Sequence, residues 1–328
     1  MLGMSALRRF AVSAHRRFSR RGVILLYHRV GTPRRDPQEL AVSPANFTAQ
    51  LEVMSSAGTP LPLAEFERRR RDGTLPSRAI AITFDDGYVD NLTEALPLLK
   101  RAAAPATVFV ATGALGKPYG FWWDELDALI NGAPLLGRVS CEVAFDDGGA
   151  RTVEIAPGGT AAAYAALCDR FRAALPAERE RVLTTLRATF AESLAVAQVE
   201  GEPPRCCTAE EIRQLAGGGV SIGAHSVTHT TMSNQSASEL AREVRESRAT
   251  LAEIVGTAPE TFAYPFGAWS DISPAAVQAV QDAGFSMACA NYPGVAWSGS
   301  DRWRAPRFIV RNWDRATFAA TLDRWFDE

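Results

Sequence analysis

The run Ala79-Ile80-Ala81-Ile82-Thr83-Phe84 shows no polar alternation, so a strand built from it must be covered on both faces. Six further apolar, largely β-branched runs are spaced along the chain at 23–27, 106–111, 220–224, 261–264, 285–290 and 307–310. Helical patterns lie between them at 43–57, 88–101, 238–255 and 273–283. Ser43-Pro44 reads as an N-cap followed by proline at the first helical position, and Gly284 as a helix stop. Doubly covered strands alternating with helices predict an α/β fold with a parallel sheet, and seven of them suggest a barrel.

The stretch 114–205 breaks this rhythm. It carries an aromatic helix start at Phe121-Trp122-Trp123, a hairpin turn at Asp146-Asp147-Gly148-Gly149, and two Ala/Leu/Arg-rich helical segments. The expected organisation is a basic arm over 1–21, a barrel built from 22–113 and 206–328, and an α+β insertion over 114–205 on the barrel's ligand-binding face.

A net charge of -2 gives no long-range pull toward nucleic acid. The arm differs, with Arg8, Arg9, Arg16, Arg17, Arg20 and Arg21 and no acid in the first 22 residues. It reads either as a solvated basic helix or as a peripheral contact with anionic lipid through Leu7, Phe10, Ala11, Ala14 and Phe18. It lacks the apolar core of a secretory signal, and five scattered cysteines show no disulfide framework. A cytoplasmic location, free or membrane-peripheral, is the expectation.

Phe-Asp-Asp-Gly occurs twice, at 84–87 and 145–148. The first copy ends a buried strand, where parallel barrels gather catalytic side chains; the second is ordinary turn composition. Asp85 and Asp86 side by side need help to stay ionised, and a divalent cation on one of them supplies it. His225 and His229 follow another buried strand and face one ion together if the segment makes a helical turn. Two imidazoles and one carboxylate leave positions open for water and substrate.

Thr83–Tyr88 and His225–His229 resemble the first two motifs of the polysaccharide deacetylases, the NodB-homology or carbohydrate esterase 4 group. The resemblance extends over about 22–310, through Leu26-Tyr27-His28-Arg29-Val30 and Phe262-Ala263-Tyr264-Pro265-Phe266-Gly267. It implies a distorted (β/α)7 barrel and hydrolysis of an N-acyl group, usually acetyl, on an amino sugar. By the same resemblance Asp85 is the base, and Asp86, His225 and His229 hold a divalent metal, zinc by expectation. Ser226 braces the histidine loop. Phe266 offers a backbone N–H to the oxyanion, and Tyr264 and Tyr88 stand in the matching substrate-side positions.

Two departures stand out. Ala263 occupies the place of the family's base-orienting arginine, so another cation is needed beside Asp85; Arg307 is the first candidate and Arg304 the second. The family's late histidine has no counterpart after His229, and His28, at the end of the first strand, is the candidate acid or substrate ligand. Among the tryptophans, Trp269 is the best placed to stack on a sugar, because it follows Pro265-Phe266-Gly267. The expected partner is an N-acylated amino sugar in a glycan or a lipid-linked precursor. The rivals are a deformylase or other amide hydrolase, and a glycan-binding barrel impaired in catalysis.

Overall fold

The computed structural model describes residues 20–131, 139–146, 149–155, 158–191 and 204–327. Residues 1–19 of the basic arm and Asp147 and Gly148 of the second Phe-Asp-Asp-Gly lie outside the described residues.

Seven parallel strands form the scaffold: β1 (Arg21–Tyr27), β2 (Ala79–Phe84), β3 (Ala106–Val110), β4 (Ser221–Ala224), β5 (Thr261–Ala263), β6 (Met287–Cys289) and β7 (Phe308–Ile309). Their spatial order is β6-β5-β4-β3-β2-β1-β7. A parallel bridge from Cys289 to Ala305 then sets the end of β6 beside the approach to β7, so the sheet curls nearly closed. This is a distorted (β/α)7 barrel. All six residues of β2 are buried, as a strand without alternation requires. Two-residue strands at Thr59–Pro60 and Ala296–Trp297 pair beside β2 and β1.

The helices are α1 (Pro44–Ala57), α2 (Leu63–Arg71), α3 (Leu96–Arg101), α4 (Trp122–Asn131), α5 (Thr160–Ala173), α6 (Pro176–Thr189), α7 (Ala209–Gly217), α8 (Ala237–Val255), α9 (Pro274–Asp282) and α10 (Arg315–Asp327). The Ser43 hydroxyl accepts the Asn46 N–H at 3.2 Å with Pro44 opening α1, and Gly284 sits at φ +81° just after α9. The stretch 88–101 is not one helix. Asn91–Ala95 winds as a wider π turn, and regular α3 begins only at Leu96. Pro97 explains this, because its missing N–H removes an i→i−4 bond to the preceding turn.

Between β3 and α7 the chain leaves the barrel. Here α4, the antiparallel hairpin Val139–Phe145/Gly149–Ile155, α5 and α6 gather their own apolar cluster around Phe145, Tyr164, Phe171 and Leu186. Asp146 at the hairpin turn pairs with Arg181 at 2.5 Å, so the described part of the second Phe-Asp-Asp-Gly is structural. Among the described residues, no helix is long and apolar enough to cross a membrane.

Candidate active site

The C-terminal ends of β1, β2, β4 and β5 meet at one mouth. His28 follows β1, Asp85 and Asp86 follow β2, His225 follows β4, and Phe266 lies three residues beyond β5. All five line a cavity of about 310 Å³, with His229, Asn291 and residues of the insertion.

Arg307 enters from below. The register of β7 on β1 sets Phe308 opposite Leu25, so Arg307 starts inside the barrel and reaches up to Asp85. Its Nη1 and Nη2 donate to Asp85 Oδ1 and Oδ2 at 2.7 Å each, a bidentate pair. Nε donates to the Ala290 carbonyl at 2.8 Å, and Nη1 also reaches Thr83 Oγ1 at 3.2 Å. Both partners are buried. Burial alone would raise the Asp85 pKa, but Arg307 and then His225 overcome it and hold it down to about 2. Arg304 is elsewhere, beside Asp301 and over the Trp269 ring.

Asp86 is fixed by a backbone in the left-handed region, φ 77°, and its Oδ1 is buried without a hydrogen-bond partner among the described residues. That atom lies 3.3 Å from His229 Nε2 and 3.6 Å from His225 Nε2. The Nδ1 of His225 stands 2.7 Å from the Ala263 carbonyl. A carbonyl can only accept, so the proton sits on Nδ1 and the Nε2 lone pair faces Asp86. Burial pushes both histidines toward the neutral form, His229 to about 3. Ligand atoms around a tetrahedral zinc-sized ion stand about 3.3–3.4 Å apart; both Asp86–histidine separations are close to that and all three ligand atoms lie within 4.8 Å of one another, a donor set able to close on a divalent cation. The cluster is Asp86, His225 and His229, all buried.

The histidine segment corrects one expectation: it is a loop, not a helical turn. Ser226 and His229 take φ of 63° and 50°, and the Ser226 hydroxyl accepts the His229 N–H at 3.1 Å. Buried Glu243 on α8 accepts the N–H groups of Val227 and Thr228 at 2.9 and 2.8 Å. Gly113 lets the neighbouring loop approach, since a Cβ there would lie 2.5 Å from the Val227 carbonyl. Of eight non-glycine residues with positive φ among the described residues, four (Asp86, Ser226, His229 and Phe266) are at this site, so its geometry is held by its surroundings against local preference.

Phe266 lines the cavity with φ 58°, and no acceptor among the described residues takes its N–H. The two tyrosines do not reach the cavity. Tyr264 is buried in the core against Phe262, on the face opposite Ala263. Tyr88 is pinned away from the mouth, its hydroxyl donating to Asp124 at 2.8 Å and accepting from Trp123 Nε1 at 2.9 Å. Trp269 is 64% exposed and packs edge-on against Tyr292, close in sequence to Phe266 but outside the cavity lining.

The insertion supplies one wall of the cavity, through its aromatic start and through α5 residues that have no motif in the sequence. Trp122, Trp123, Cys168, Asp169 and Arg172 line the same cavity. Arg172 crosses to Asp271 on the loop after Phe266, at 2.6 Å, and stacks over the Phe266 ring. Asp124, beneath Trp123, is raised by burial to about 7. Its ordinary value is about 4, so between those pH values the folded chain binds a proton that the unfolded chain lacks. Stability from that proton is present below about pH 4 and is lost as pH rises through 7. Asp124→Asn is therefore expected to flatten the fall of Tm between about pH 5 and pH 8. An unchanged slope in thermal melts would contradict the assignment.

Barrel, paired aspartates and clustered histidines together define a deacetylase type of site. The family model described as polysaccharide deacetylase matches residues 72–132 and 181–288, just over half of the chain. The chain belongs to the polysaccharide deacetylase family, whose members act on non-peptide carbon–nitrogen bonds. A poly-beta-1,6-N-acetyl-D-glucosamine N-deacetylase of Staphylococcus aureus is 35% identical over 78 residues, 24% of this chain and 27% of that protein. The curated relatives matched here are spanned over about a third of their length or less. Two solved structures share the fold. A Streptococcus pyogenes deacetylase, PplD, in complex with acetate aligns at TM-score 0.59 and 17% identity, covering 93% of this chain and 99% of that one. IcaB from Ammonifex degensii aligns at 0.57 and 18%, covering 94% and 98%.

Proposed function

We propose that this protein hydrolyses an N-acyl group, N-acetyl first among them, on an amino sugar within a glycan or a lipid-linked glycan precursor. The observation that carries the reading is the buried Asp85–Arg307 pair set beside the Asp86–His225–His229 cluster in one open cavity. A divalent ion held by that cluster, zinc in our reading, supplies the positive charge that acidifies a water and polarises an amide carbonyl. Asp85 receives the water proton. Its Oδ2 faces the cluster, 3.9 Å from His225 Nε2, and each carboxylate oxygen keeps a lone pair beyond its bond to Arg307. The unclaimed N–H of Phe266 faces the developing oxyanion.

His28 delivers a proton to the leaving nitrogen in this reading. It is the one histidine among the described residues outside the cluster, and it lines the cavity. Burial lowers its pKa while Asp86 and Asp85 pull the other way. His28→Ala is expected to lower kcat by about 100-fold or more with bound zinc unchanged. A variant of unaltered kcat would remove His28 from the mechanism.

The placement we infer is cytoplasmic, either free or in peripheral contact with anionic lipid through the arm that carries Arg8, Arg9, Arg16 and Arg17. The stretch shared with the Staphylococcus aureus enzyme makes a β-1,6-linked N-acetylglucosamine oligomer the first substrate to try. Acetate released in step with new free amines is the expected result. Formate from an N-formyl sugar, without acetate, would favour the deformylase. Sugar binding with no acyl release would leave a glycan-binding barrel.

A further inference from the structure

A second cavity of about 390 Å³ opens between the loop 113–121 and α6, and Lys117, Trp122 and Arg179 line it. Trp122 belongs to both cavities, and Val227 and Thr228 of the histidine loop touch the second one. The two spaces therefore adjoin across one indole ring.

The charge of this second space is unbalanced. Its acids, Glu125 and Glu180, are both taken by Arg187, with contacts of 2.5, 2.9 and 2.6 Å. Arg179 is only 5% exposed and lies over the Trp122 ring. It donates to the Phe171 and Arg172 carbonyls at 2.6 and 3.3 Å, and no carboxylate among the described residues pairs with it. Glu178, beside it in sequence, accepts the Asp146 N–H instead. Burial draws the Arg179 pKa down to about 10 and outweighs the opposite pull of the nearby Glu178 charge. The Trp122 Nε1–H is also buried without an acceptor among the described residues. Lys117 adds an exposed ammonium at the same wall. A buried guanidinium lying over an indole whose N–H is unsatisfied, both residues lining this cavity, is a costly arrangement that an anionic oxygen ligand relieves.

We propose that this cavity is a subsite for an anionic group, carboxylate or phosphate, carried by the sugar next to the one deacylated. The substrate is then an acidic or phosphate-bearing N-acyl glycan rather than a neutral one. This rests on the deacylase reading above, and it adds what that reading leaves open.

Calorimetric titration tests it without requiring turnover. The probes are a neutral N-acetylglucosamine disaccharide, an N-acetylglucosamine–glucuronic acid disaccharide, an N-acetylglucosamine disaccharide phosphorylated on its second sugar, and inorganic phosphate. At least one charged sugar is expected to bind wild type about tenfold tighter than the neutral disaccharide. The larger gain identifies carboxylate or phosphate as the natural group. Arg179→Gln, which keeps a donor for the carbonyls, and Lys117→Glu are each expected to cancel that gain while neutral-sugar affinity and zinc content stay the same. If Arg179→Gln does not fold, exposed Lys117→Glu still decides the matter.

Inorganic phosphate that competes with the charged sugar alone supports the subsite. Phosphate that competes equally with both sugars overturns it, as do equal affinities in wild type or a gain that survives Lys117→Glu. Acyl release from neutral sugar without any charge preference contradicts the subsite alone. Charged-sugar preference without any acyl release contradicts the deacylase reading alone.

Discussion

Arg307→Ala is expected to lose about 3–5 kcal/mol of stability and nearly all activity. The substitution strands Asp85, a carboxylate buried at the barrel mouth whose two oxygens are both held by that guanidinium at 2.7 Å. A buried charge without its partner must either protonate or draw in water, and either change disables it as a base. The pH dependence carries the same sign. Asp85 is depressed to about 2 in the folded chain, so its contribution is present above its unfolded pKa, about 4, and is lost as pH falls toward 2. The stability gap between wild type and Arg307→Ala should therefore narrow through that window in denaturant titrations. A gap that holds constant to the lowest accessible pH would mean that Arg307 acts by packing alone. Its contact over the Phe109 ring gives such packing a place to act.

Asp85→Asn separates chemistry from architecture. Asparagine keeps the shape and one acceptor oxygen for Arg307, but it cannot take a proton at neutral pH. We expect kcat to fall by about 10²–10⁴, the usual worth of a positioned general base, with zinc content unchanged. Loss of zinc in this variant would show that Asp85 helps hold the ion, and the division of labour between Asp85 and Asp86 would need redrawing. An unchanged kcat would remove Asp85 from proton transfer altogether.

The strands are readable because burial on both faces leaves a local signature: β2 is apolar at every position but Thr83 and buried at every position. The capping box of α7, in which the Thr208 side chain accepts from Glu211 N and Glu211 answers the Thr208 N–H, is a helix-start signal present in Thr208-Ala209-Glu210-Glu211 beyond the four helical patterns given above. The loop form of 225–229 was not local information. It depends on Glu243, an acid among the buried Leu240, Val244 and Leu251 of α8, whose carboxylate ties down two N–H groups some fifteen residues earlier. An acid on an apolar helix face was the available signal. Tyr264 lies outside the cavity because a motif position does not give a side-chain direction; strand alternation sets it with Phe262, away from Ala263. Arg172 and Asp169 could not be foreseen, since only the docking of α5 brings them to the cavity.

Metal content tests the central claim most directly. Purified wild type, supplied with zinc and dialysed, is predicted to retain about one ion per chain by elemental analysis, and Asp86→Ala and His229→Ala to retain none. Wild type that holds no ion, or an Asp86→Ala protein that holds as much as wild type, would contradict the account, because the buried Asp86 oxygen and the two facing imidazoles would then serve some other purpose.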